Sequence, residues 1–145
     1  MNRYVLCTLI FSVLPSVHGC SKEGNDQLEG TWTGLSVDCG TPSVIRDDEP
    51  IEETTFLFKG DKCIVTTKKK TTEMKYKVDE SSEPKSIDYF ITLDIGRIAT
   101  WRGIYLVEGD KLTLCLTEKV GQDRPADFVI RNGETNGVFV FRRKK

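Results

Sequence analysis

Apolar side chains in this chain recur at every second position, and that alternation constrains the fold more than any other feature of the sequence. Phe56 and Phe58 alternate with Thr55 and Leu57; Met74, Tyr76 and Val78 alternate with Lys75 and Lys77; Ile87, Tyr89, Ile91, Leu93 and Ile95 keep one phase throughout. Leu112, Leu114 and Leu116 alternate with Thr113, Cys115 and Thr117, and Val138 and Val140 with Phe139 and Phe141. A period of two sends successive side chains to opposite faces, so each segment reads as a strand with one buried face. Helical stripes are weak everywhere after residue 28.

The links between these segments are short. Lys59-Gly60-Asp61-Lys62 and Glu108-Gly109-Asp110-Lys111 join strand patterns directly, and Asn132-Gly133 and Asn136-Gly137 punctuate the C-terminal part. Such links suit antiparallel hairpins rather than parallel crossovers. Strands are predicted near residues 28–37, 54–59, 62–68, 72–78, 86–94, 98–107, 111–117 and 137–142. The fold class is therefore all-β, an antiparallel up-and-down meander of about eight strands. Closing it into a barrel removes the exposed edges and leaves an interior that side chains fill or that holds one small ligand. A two-sheet sandwich is the competing arrangement. Two longer segments, 38–53 and 118–134, are placed to cover the mouths, with a short helix expected over Pro125–Val129.

The N-terminus carries a different signal. Arg3 precedes an uncharged run from Tyr4 to Leu14 that stops at Pro15, too short to span a bilayer, and the polar segment Ser21–Gln27 follows. This pattern is a secretory signal peptide. Val17-His18-Gly19-Cys20 resembles a bacterial lipobox, in which Cys20 receives the lipid and the chain is cut after Gly19. Ordinary cleavage after Gly19 is the alternative, and His18 is an unusual lipobox residue. The expected organisation is a signal peptide over 1–19, a lipid-anchored tether over 20–27 and one domain over 28–145.

Cleavage removes Arg3, Cys7 and His18, the sole histidine of the chain. Without histidine, no Ser-His-Asp or Cys-His site can be built and the commonest zinc ligand is missing. No Gly-x-Ser-x-Gly and no phosphate-binding loop occurs, so no enzyme, cofactor or metal is expected. Lys and Arg total 21 against 22 Asp and Glu, which gives no overall field for nucleic acid. Beyond Cys20, Cys39, Cys63 and Cys115 remain; one disulfide with one buried thiol, or three thiols, are both open readings.

Five ordered motifs then carry a resemblance: Leu28-Glu29-Gly30-Thr31-Trp32; Phe56-Leu57-Phe58-Lys59-Gly60-Asp61-Lys62; Tyr76-Lys77-Val78-Asp79 with Pro84-Lys85-Ser86-Ile87-Asp88; Gly103-Ile104-Tyr105 with Gly109-Asp110-Lys111-Leu112; and Arg124-Pro125 with Phe128. Over residues 28–144 the pattern resembles an uncharacterised lipocalin-like domain family abundant in planctomycete bacteria. The resemblance implies a small lipocalin-like barrel in an exported protein, often behind a lipoprotein peptide, and brings no ligand or catalytic residues with it. The acidic loop over Asp47–Glu53 and the lysines at 68–70 depart from the family pattern.

Gly30-Thr31-Trp32 looks like the opening Gly-x-Trp of lipocalin-type barrels, where Trp32 packs across the closed end. Trp32, Tyr76, Trp101, Tyr105 and Arg124 are the candidate ligand-binding residues, since aromatic walls with few polar tips suit a small molecule. The same aromatics also suit a plain core. Arg124 suits either an anion or a role folded against strand carbonyls and a carboxylate. Asp79 and Asp88 read as turn caps. Seven lysines between Lys59 and Lys77, with Arg142-Arg143-Lys144-Lys145, suit an anionic surface or the protection of strand edges, and the acidic loop reads as solvated rather than calcium-binding. The expected function is a monomeric, membrane-anchored binding module of the cell envelope, exported to the periplasm or outer surface. Its partner is then a small apolar or amphipathic ligand. The alternative is an envelope protein-interaction or inhibitor domain with a packed, ligand-free barrel.

Overall fold

A computed structural model describes residues 27–39, 51–93, 96–117, 119–131 and 135–145, apart from the side chain of Glu52. The expected signal peptide over 1–19, Cys20, most of the expected tether and Asp47, Asp48 and Glu49 of the acidic loop lie outside the described residues.

Eight strands run in sequence: β1 (Gly30–Asp38), β2 (Thr55–Lys59), β3 (Lys62–Thr66), β4 (Thr71–Asp79), β5 (Ser86–Thr92), β6 (Ile98–Glu108), β7 (Lys111–Thr117) and β8 (Asn136–Arg143). Each pairs antiparallel with its neighbour, and β1 pairs with β8, so the sheet closes into an up-and-down barrel. Closure eliminates the sandwich. The lone helical turn among the described residues is a 3₁₀ turn at Ile51–Glu53. No helix forms at 125–129, where the chain bends instead and the Val129 amide donates to the Asp127 carboxylate at 3.0 Å.

The two-residue links form as expected. Gly60 and Gly109 open the β2–β3 and β6–β7 turns with φ of 61° and 59°, the left-handed region that a II′-type hairpin requires at its first loop position. These turns, the β4–β5 link and both ends of the described chain gather at one end of the barrel. The other end carries the β1–β2, β3–β4, β5–β6 and β7–β8 connections.

The first end is sealed. Trp32 is fully buried and its indole N–H donates to the Leu28 carbonyl at 2.7 Å. The Arg143 guanidinium lies 4.1 Å above the Trp32 ring and donates to the Glu29 and Gln27 carbonyls. A cation over an indole, desolvated on one side, contributes roughly 0.5–2 kcal/mol. The Gly60 amide donates to the Glu29 carboxylate at 2.6 Å, tying the first hairpin to the same base. Above it, Phe58, Tyr76, Tyr89, Tyr105, Leu112, Leu114 and Phe141 pack as one buried cluster, with Phe58 edge-on to Tyr76 at 5.1 Å and Phe56 at 4.7 Å from Phe141.

One bulge shapes the open end. The β1–β8 register slips between Gly34 and Ser36, so Leu35 and Ser36 both face out and Val37 turns inward opposite Phe139. Gly34 faces in beneath the 3₁₀ turn, and a Cβ there would stand 2.1 Å from the Ile51 carbonyl oxygen. Backbone cannot yield as a side chain can. Gly34→Ala is expected to cost about 1–3 kcal/mol in urea unfolding, whereas Leu35→Ala, next to it but 40% exposed, stays within about 0.5 kcal/mol.

Candidate functional site

Packing is not uniform along the barrel axis. Toward the open end the interior widens into a cavity of about 230 Å³ lined by Phe56, Met74, Tyr89, Ile91, Trp101 and Leu116, with Thr117, Gly137 and Phe139 completing the wall. The lining follows from strand phase. Tyr89 pairs with Trp101, Leu116 with Gly137 and Leu114 with Phe139, so each set points to the same side of the sheet. Gly137 leaves room where the walls would otherwise meet: a Cβ there would come 2.8 Å from the Phe139 ring and 3.3 Å from the Cys39 sulfur. That contact also places the Cys39 thiol beside the cavity wall.

Among the described residues, no charged side chain lines the cavity. Its polar groups are few. The Thr117 hydroxyl already donates to the Arg102 carbonyl at 3.2 Å. The Tyr89 hydroxyl is buried and makes no hydrogen bond to any described residue. Burial, and to a lesser degree the neighbouring Cys63 and Tyr76, raises its pKa well above the usual phenol value of 10.0, so it is a neutral O–H at physiological pH.

Of the sequence candidates, the structure places only Trp101 on the cavity wall. Tyr76 sits deeper, against Phe58 and beside Tyr89 at 6.5 Å between ring centres. Trp32 belongs to the sealed base, and Tyr105 is buried in the core cluster. Arg124 lies on the outside of the barrel. Its Nη1 donates to the Gly103 carbonyl at 2.7 Å and the Ile87 carbonyl at 3.2 Å, and Nη2 stands 2.8 Å from the Asp88 carboxylate. This is the folded-back role rather than an anion site. It pins the β7–β8 loop across β5 and β6, on the side where Ile104 and Cys115, outward by phase, are nonetheless buried.

Asp79 caps its turn, accepting from the Ser81 amide at 2.9 Å and hydroxyl at 2.6 Å, which holds its carboxyl below the usual value. Asp88 does not cap a turn: it lies within β5 and serves Arg124. The lysine-rich hairpin is partly neutralised, Lys62 by Glu73 at 2.7 Å and Lys68 and Lys75 more loosely by Glu53 and Asp61, both at 3.8 Å. Among the described residues, no disulfide joins Cys39, Cys63 and Cys115, and no group of three or more His, Cys, Asp or Glu is placed to hold a metal ion.

Sequence reasoning missed Tyr89, Ile91, Leu116 and Phe139 as site residues although it placed all four in alternating strands. Their phase was readable. Their height in the barrel, which decides cavity against core, depends on register between strands and was not.

Cys63 supplies a pH test of this interior. Burial raises its thiol from 9.0 to about 12. The unfolded thiol ionises first, so the contribution is whole below pH 9 and is lost as pH climbs from 9 toward 12, in total on the order of 4 kcal/mol. Urea midpoints at pH 8 and pH 10.5 should fall further for the wild type than for Cys63→Ala. Comparison with family models, with curated proteins and with solved structures gives no match in any of the three, so the barrel and its cavity carry the functional reading.

Proposed function

We propose that this protein is an exported, lipid-anchored binding module of the cell envelope, a lipocalin-like barrel that holds one small apolar or amphipathic molecule and performs no chemistry on it. The observation that carries the proposal is the apolar cavity at the open end. An engineered apolar cavity of about 150 Å³ accepts benzene, and drug-sized pockets begin near 300 Å³. At about 230 Å³ the space lies between them and suits one ring or a short acyl chain. A polar head would remain at the mouth, because no described residue of the lining neutralises a charge.

The rival reading, a ligand-free barrel that binds another envelope protein, fits less well with a cavity of this size. Membrane attachment rests on the lipobox-like Val17-His18-Gly19-Cys20, and the resemblance to the planctomycete lipocalin-like family supports export and fold together. The protein acts as a monomer and needs neither cofactor nor nucleic acid.

The two tryptophans separate the ends of the barrel. Adding ethylbenzene should change the tryptophan emission of the full chain, and the change should vanish in Trp101→Phe, because Trp32 lies at the sealed base. Ile91→Trp should abolish binding by filling the cavity; undiminished binding would place the ligand elsewhere. Native mass spectrometry of the protein from its own cells should show an extractable small molecule. Radioactive palmitate should label the natural protein and not Cys20→Ala; equal labelling would remove the anchor.

A further inference from the structure

Among the described residues, contacts between aromatic rings stop at the cavity. They join Phe56 to Phe58 and Phe141, Phe58 to Tyr76 and Tyr89, and Tyr76 to Tyr89. None of them includes Trp101 or Phe139, although both line the cavity and both are partly exposed. Phe56, 9% exposed, lines it as well. These three side chains come from β6, β8 and β2, and β2 and β6 stand four apart in a closed sheet of eight, on opposite sides of the barrel. The far end of the Phe139 ring rests where a Gly137 side chain would stand, with ring carbons 2.8 and 3.0 Å from the Cβ position. It therefore lies along β8 instead of reaching across, and the rings surround about 230 Å³ without meeting.

We infer that the part of the ligand held in this cavity is a single aromatic ring, in preference to a saturated ring or an acyl chain of similar size. The inference rests on the binding role proposed above and adds the chemical class of the bound group. An aromatic ring has a negative face and a positive edge, so each offset-stacked or edge-to-face contact with another ring adds attraction beyond the area buried. A saturated ring or a chain gains burial and dispersion alone. Phe56, Trp101 and Phe139 offer a ring entering the cavity neighbours on opposite walls. Leucine or isoleucine at the same positions would make an equally apolar wall without that preference.

The test uses three seven-carbon probes, toluene, methylcyclohexane and n-heptane, titrated calorimetrically into the full chain. Each affinity is divided by the probe's hexane–water partition coefficient, because saturated hydrocarbons leave water more readily than aromatic ones. On that scale toluene should bind roughly five- to thirtyfold tighter than either alkane, the worth of one to two ring contacts. This comparison needs no variant to fold. Phe139→Leu, at a partly exposed position, should reduce the advantage of toluene by roughly two- to tenfold and leave methylcyclohexane nearly unchanged. An advantage undiminished in both Phe139→Leu and Trp101→Leu would assign the preference to cavity shape and overturn the inference. Either alkane binding as tightly as toluene on the same scale would also overturn it, while leaving the binding role standing. Failure of all three probes to bind would reject both.

Discussion

The meeting of the first and last strands at the sealed base is the constraint on which the rest of the barrel depends. Trp32 on β1 and Arg143 on β8 stack at 4.1 Å, and the same guanidinium ties down the carbonyls of Gln27 and Glu29. Chain ends are where folded domains fray unless they are tied. Here residues separated by most of the domain are fastened by one planar cation that also covers an indole. Fastening the ends closes the sheet, and closure gives every strand a neighbour on both sides.

A sealed, aromatic base frees the other end to be incompletely filled. Phe58, Tyr76, Tyr105, Leu112 and Phe141 supply the buried area in the interior, while the open end tolerates Gly34, Gly137 and the bulge at Leu35. Each of these trades packing for shape. Gly34 admits the 3₁₀ turn, and Gly137 keeps Phe139 from meeting a second wall. A similar division on the outside assigns Arg124 to holding a loop against strand carbonyls, which removes it from ligand chemistry and makes Asp88 its partner.

Much of the fold was legible because a period of two is a local property. The alternation through 87–91 and 112–116, with Gly at 60 and 109, placed strands and turns to within two residues, and the count of eight made closure a natural reading. What escaped was non-local. Arg143 continues the inward phase of Phe139 and Phe141, yet in sequence it is indistinguishable from a basic tail. Ile104 and Cys115 face outward by phase and are nonetheless buried, on the side where Arg124 fastens its loop to β5 and β6. Trp32 and Trp101 look alike as aromatic candidates, but register sends one to the base and the other to the cavity. Tyr89 was visible as a core residue; that its hydroxyl finds no partner among the described residues is a fact of three dimensions.

Whether the open end holds space is the question on which the functional account turns. Xenon is a probe without polar preference that occupies apolar cavities. Crystals of the protein under xenon pressure should show a bound atom among Phe56, Ile91, Trp101 and Leu116, with the sealed base around Trp32 empty of it. A mouth collapsed onto its own side chains, with no xenon bound, would contradict the account.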